Sequence, residues 1–138
     1  MDIKQLDDKV AVSAQIAPAD IGELARRGFT TLICNRPDGE DPGQPPFEDI
    51  ETAARAEGMQ IVFQPVTSAT MELEHARRFA EAVDGSEGKV LAYCRTGTRC
   101  TMLWTISGAI AGKPADELRD AAARAGYDMS NLLQNLQG

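Results

Sequence analysis

The chain has 138 residues, 43% of them apolar and 25% charged, and a formal net charge of −7. That length suits one domain with a buried core, and the negative balance argues against nucleic acid or an anionic membrane surface as the main partner. A single histidine, His75, excludes zinc sites built from several histidines and most hydrolytic metal centres, so neither a metal nor a cofactor is expected.

From the N-terminus, the stretch "MDIKQLDDKV" is charged rather than apolar, so no signal peptide is expected. No run approaches the length of a membrane span. "KVAVSAQI" (9–16) alternates apolar and polar residues over part of its length, as a half-exposed strand does. "PADIGELARRG" (18–28) predicts a helix with Pro18 at its start, Ile21, Leu24 and Ala25 on one face, and Gly28 at its close. "FTTLICN" (29–35) is β-branched and apolar, hence a buried strand. "RPDGEDPGQPP" (36–46), dense in Pro, Gly and acid, is a loop long enough to serve the rim of a site.

"FEDIETAARAEG" (47–58) predicts a second helix, with Phe47, Ile50 and Ala54 on one stripe. "MQIVFQPV" (59–66) follows as a third inner strand, and "TMELEHARRFAEAV" (70–83) as a helix with Thr70 as its N-cap. "KVLAYC" (89–94) is apolar enough to be a strand covered on both faces. "TMLWTISGAIAG" (101–112) is apolar nearly all round, which describes a helix at the centre of the fold. "KPADELRDAAARAG" (113–126) reads as a surface helix and "SNLLQNL" (130–136) as a short last one. No linker divides the chain. The alternation predicts a single α/β domain over residues 1–138, with a mostly parallel central sheet flanked by helices. Sites in such sheets form beyond the carboxyl ends of the strands, where Cys94 falls.

The loop "CRTGTR" (94–99) joins a buried strand to a buried helix, a position in which its N–H groups can turn inward as a nest for an anion. Gly97 permits the tight positive-φ turn. The following helix N-terminus adds partial positive charge, and Arg99 offers a two-pronged contact to an oxyanion. Arg95, Thr96, Gly97 and Thr98 complete the candidate anion-binding loop, Arg95 either as a substrate contact or merely exposed. All these features favour a thiolate, so Cys94 is expected to be reactive. Cys34 lacks that company and reads as packing. Cys100 reads first as a small core residue and alternatively as a redox partner that resolves an oxidised Cys94. Three free thiols, too few and too odd in number for a disulfide framework, suit a reducing cytoplasm.

This loop, with "AQIAPADIGELARRGFTTLICNRPDGE" upstream, resembles the bacterial beta-lactamase-hydrolase-like, phosphatase-like domain family, whose members look like small relatives of dual-specificity phosphatases. The resemblance spans nearly the whole chain and is most specific in "NRPDGED" and "YCRTGTR". It implies a cysteine-phosphatase fold with a sheet of four or five strands, Cys94 as nucleophile and Arg99 as oxyanion binder. It also implies a small anionic substrate or a phosphorylated protein. Many members carry serine after the loop arginine; this chain has Cys100, a weaker donor to a thiolate.

Two features lean towards sulfur chemistry. Cysteine phosphatases carry Cys-x5-Arg, whereas this chain reads Cys94-x4-Arg99, a spacing that also looks like the persulfide-holding loop of rhodaneses. Phosphatases of this kind draw a general acid from the loop after the third strand, which here is "TSAT" (67–70) and contains no acid. Asp38, Glu40 and Asp41 on the rim loop, or Glu72, are the candidate replacements, with Arg36 holding that loop through a carboxylate. The expectation is a phosphatase-like cysteine hydrolase. The alternatives are a sulfurtransferase carrying a persulfide on Cys94 and, third, an inactive module that binds anions or proteins.

Overall fold

The computed structural model describes residues 1–137. Five strands form one sheet in the order β1-β2-β5-β3-β4: β1 (Lys4–Gln5), β2 (Val10–Ser13), β3 (Phe29–Cys34), β4 (Gln60–Phe63) and β5 (Lys89–Tyr93). Every pair is parallel except β1 with β2. The helices are α1 (Ile21–Arg26), preceded by a 3-10 turn at Pro18–Asp20, α2 (Phe47–Ala56), α3 (Leu73–Asp84), α4 (Thr98–Ile110), α5 (Ala115–Arg124) and α6 (Ser130–Gln137).

The helices lie on both faces, so the core has two halves. On one face Ile21 and Leu24 of α1 and Ile50 and Ala54 of α2 pack with Leu32, Leu91 and Tyr93. On the other, Phe79, Leu103, Leu118 and Leu133 from α3, α4, α5 and α6 pack with Val12, Ile33, Val90 and Ala92. The two-residue period of a strand assigns alternate β5 residues to opposite faces. Cys94, next after Tyr93, therefore continues the Val90–Ala92 side and meets Cys100 of α4 in the same half of the core.

Three local expectations need correction, and one strand has no counterpart among them. The segment at 9–16 is not half-exposed: all four residues of β2 are buried, because β1 and β5 flank it and helices cover both faces. The strand expected as a third inner one, β4, is an edge strand of the sheet, and its ends, Gln60 and Phe63, are exposed. Thr70 is not the cap of α3. It closes a turn with Thr67, whose N–H donates to Thr70 Oγ1 at 2.9 Å. The cap is Glu72, and its N–H donates to His75 Nδ1 at 2.9 Å, so the single histidine has a structural task at a helix start. Finally, β1 carries no apolar residue and leaves no periodic signal. It forms because Asp7 closes the hairpin: Oδ1 accepts from the N–H groups of Lys9 and Val10, while Oδ2 accepts from Trp104 Nε1 at 2.9 Å and ties the hairpin to α4.

The helix expected at the centre of the fold is α4, with seven of its residues buried, among them Cys100, Leu103 and Trp104. It starts at the loop that β5 leads into, so one rigid strand and one rigid helix fix both ends of residues 94–99.

Candidate active site

The parallel strands end together, and their ends are stitched to one another. Asn35 N–H donates to the Tyr93 carbonyl at 2.9 Å, Cys94 N–H to the Ser13 carbonyl at 3.3 Å, and Val66 N–H to the Asn35 carbonyl at 3.1 Å. Cys94 is fully buried at the centre of this edge. The 94–99 loop curls back over it, and Gly97, at φ +91°, makes the turn that a side chain would resist. Gly97 N–H donates to Cys94 Sγ at 3.1 Å, and the nearby backbone amides of Cys100 and Thr96 favour the ionised sulfur as well. The neighbouring Cys100 thiol, on the first turn of α4, is the strongest influence in the same direction. Together these donors outweigh burial and bring the Cys94 pKa from 9.0 down to about 5. Burial pushes the other two thiols up: Cys100, which also faces the Cys94 charge, well above its ordinary value, and Cys34 to a lesser degree. One sulfur of three is thereby set apart as an anion at neutral pH.

Arg99 lies over the same loop, and its guanidinium is pinned. Nη1 donates to Glu40 Oε2 at 2.9 Å and to the Val66 carbonyl at 2.8 Å, and Nη2 donates to Glu40 Oε1 at 2.8 Å. Arginine has about five N–H donors in a fixed fork. Among the described residues these contacts use the outer end of the fork and leave Nε–H and one Nη2–H on its side edge, the spacing that matches two oxygens of a phosphate or sulfonate.

The rim loop is organised around Arg36, buried at 3% exposure. Nε donates to Glu40 Oε1 at 2.9 Å, Nη2 to Asp41 Oδ2 at 2.6 Å, and Nη1 to Gln15 Oε1 at 3.0 Å. Arg36 does hold the rim loop through carboxylates, as the sequence suggested. Glu40 is thus shared by two arginines. Arg99 first, then Arg36, hold its carboxyl down at about 2, which suits a permanent anion better than a proton donor. Asp41 also pairs with Arg95 Nε at 3.2 Å, and Asp38 Oδ1 accepts from Phe47 N–H at 2.8 Å.

The structure thus brings Cys94, Arg95, Thr96, Gly97, Thr98, Arg99, Cys100, Glu40 and Asp41 into one connected site, with Asp38 directed instead to the start of α2. Thr96 and Thr98 join their hydroxyls at 3.0 Å on the exposed side. Sequence reasoning missed Gln15 and the tie between Glu40 and Arg99, which joins positions 59 residues apart. It also missed Tyr127, whose hydroxyl donates to the Thr96 carbonyl at 2.9 Å. Among the described residues no group of three or more His, Cys, Asp or Glu side chains is placed to hold a metal ion, and no helix is long and apolar enough to cross a membrane.

The family described as "Beta-lactamase hydrolase-like protein, phosphatase-like domain" matches residues 2–111. The beta-lactamase hydrolase-like protein of Xylella fastidiosa is 34% identical over 134 residues, 96% of this chain and 31% of that protein. That of Agrobacterium fabrum is 32% identical over 126 residues, 91% of this chain and 29% of the relative. The chain therefore spans about a third of the length of these relatives. A solved structure described as a putative phosphatase from Neisseria meningitidis is 38% identical, with a TM-score of 0.87 over 99% of this chain and 96% of that one. Tk-PTP, at 22% identity and a TM-score of 0.68 over 99% of this chain and 93% of its own, shares the fold.

Proposed function

The chain belongs to the beta-lactamase hydrolase-like, phosphatase-like domain family, and on that premise we propose that it is a cysteine-dependent phosphatase-like hydrolase. Cys94 thiolate attacks the phosphorus of a phosphate ester. The S–P bond forms as the ester P–O bond breaks, and the leaving oxygen departs with the electron pair and takes up a proton. Water then attacks the cysteinyl phosphate, releasing inorganic phosphate and restoring the thiolate. The inward amides of the loop and the free edge of Arg99 hold the equatorial oxygens through both steps. Glu40, fixed by Arg36, keeps that edge in place. The observation that carries this reading is the Cys94 sulfur itself, bonded by the Gly97 amide at 3.1 Å inside a loop of donors that favour its ionised form.

A small anion or a phosphorylated side chain fits such a cradle. Two proteins of this fold support that class: P. aeruginosa TpbA was solved with pTyr bound, and the core catalytic domain of the PP-IP phosphatase SIW14 from S. cerevisiae with citrate. Three reduced, buried thiols suit a cytoplasmic setting. In this reading Cys100 serves as the donor that Cys94 needs. Its place in the same half of the core also makes it the candidate to resolve a Cys94 sulfenate formed by a peroxide, closing an S–S bond as water leaves.

A second reading is favoured by one observation. Among the described residues near the loop, Glu40 is held ionised, Asp41 is paired with Arg36 and Arg95, and Asp38 is bonded to a helix amide. Sulfur transfer, in which Cys94 takes a sulfane sulfur and sulfite leaves as a stable anion, needs no proton donor. One preparation tests both readings with an aryl phosphate and with thiosulfate plus cyanide, comparing wild type with Cys94→Ser. Cys94-dependent phosphate release without thiocyanate supports the hydrolase, and the reverse supports the transferase. Activity that survives the substitution refutes both.

A further inference from the structure

We propose that Tyr127, in the connection between α5 and α6, is a positioning residue that locks the Thr96–Gly97 peptide with its N–H facing the Cys94 sulfur. The inference rests on the reading of Cys94 as an ionised nucleophile and adds a part of the chain that the family match, residues 2–111, does not reach.

A peptide unit is planar, and its C=O and N–H point to opposite sides. The unit between residues 96 and 97 is bonded at both ends. Its carbonyl faces outward and accepts from Tyr127 Oη at 2.9 Å, and its amide faces inward and donates to Cys94 Sγ at 3.1 Å. Rotation of this one plane would remove a donor from the thiolate and aim a carbonyl lone pair at it. Glycine at 97 makes such a rotation cheap, because nothing at its Cα resists either orientation. Among the described residues Tyr127 is the donor that holds the outer end. Its phenol lies so close that a Cβ built on Gly97 would fall 2.1 Å from the hydroxyl oxygen and 3.0 Å from the ring carbon bearing it. Gly97 thus answers two demands, the φ of +91° and the approach of this ring.

Tyr127 can act as a strut because it is itself held. Its N–H donates to the Ala122 carbonyl at 2.9 Å at the end of α5, and its ring packs against the half of the core that contains Met129 and Leu133. Burial first, then the charge at Cys94, pushes its hydroxyl pKa up, so it stays a donor at neutral pH.

Tyr127→Phe removes the hydroxyl and keeps the ring. The readout is the thiolate absorbance near 240 nm against pH, with Cys94→Ser as the blank and a thermal melt to verify the fold. The Gly97 amide proton shift, followed through the same titration, gives a second measure. The substitution should raise the Cys94 midpoint by about half a unit to one unit, a roughly three- to tenfold loss of thiolate below the midpoint. It should also diminish the response of the Gly97 amide, while the melting temperature stays near wild type. A low wild-type midpoint that Tyr127→Phe leaves in place, with the Gly97 response intact, overturns the role given to Tyr127. A wild-type midpoint near that of a free thiol overturns the underlying reading of Cys94 instead.

Discussion

Replacing Cys100 by alanine deletes the thiol that contributes most to the Cys94 thiolate and leaves the amides of residues 96, 97 and 100 in place. A hydrogen bond to a charged group is worth about 1.5–3 kcal/mol, and one pKa unit corresponds to about 1.4 kcal/mol. A thiol is a weak donor, which places the effect at the lower limit, about one unit. The Cys94 midpoint should therefore rise from about 5 to about 6. At pH 6 the thiolate fraction would fall from roughly nine-tenths to about half. Spectroscopic titration between pH 4 and 8 isolates Cys94, because burial keeps Cys34 and Cys100 protonated across that range. The acid limb of kcat/KM should move by the same amount. Cys100→Ser, which restores a stronger donor, should return the midpoint to or below the wild-type value. Coincident titrations of wild type and Cys100→Ala, or no recovery in Cys100→Ser, would refute the claim that the Cys100 side chain sustains the anion. The small void left by the sulfur should lower stability by about 1 kcal/mol, a loss that the titration midpoint does not register.

Stability should follow the same group. The folded pKa of Cys94 lies below its unfolded value, so its contribution is complete above pH 9.0 and is lost as pH falls through about 5. Within that window wild type should lose about 1.4 kcal/mol per pH unit relative to Cys94→Ala, and parallel pH curves from urea melts would contradict this. Glu40→Gln loosens the guanidinium of Arg99 and should lower kcat/KM by about 10- to 100-fold, with little change in the thiolate midpoint. An unaffected rate would remove Glu40 from the site. Arg99→Lys loses the paired edge and should cost about 10²–10³ in kcat, so unchanged affinity for inorganic phosphate or vanadate would argue against an oxyanion contact. Gly97→Ala places a side chain at φ +91° and against Tyr127. It should destabilise the protein by about 1–3 kcal/mol and raise the Cys94 midpoint, whereas a neutral result in denaturation would show that the loop can relax.

The amino-acid sequence by itself determined the alternation of strands and helices, because burial on one face imposes a period of two or of three to four residues that survives in composition. It also determined the local half of the site. Cys94, Gly97 and Arg99 lie on one short loop between a strand and a helix, so spacing alone brings the sulfur, the positive-φ glycine and the arginine together. Tertiary structure decided what pairs at long range. That β4 is an edge strand and β2 a buried one depends on sheet order, which no segment's own pattern encodes. The bond between Glu40 and Arg99 and the hydroxyl of Tyr127 on the back of the loop arise when elements far apart in the chain pack together. Polar side chains on loops carry no periodicity, and their partners are chosen by distance and desolvation, quantities that exist only once the core has closed.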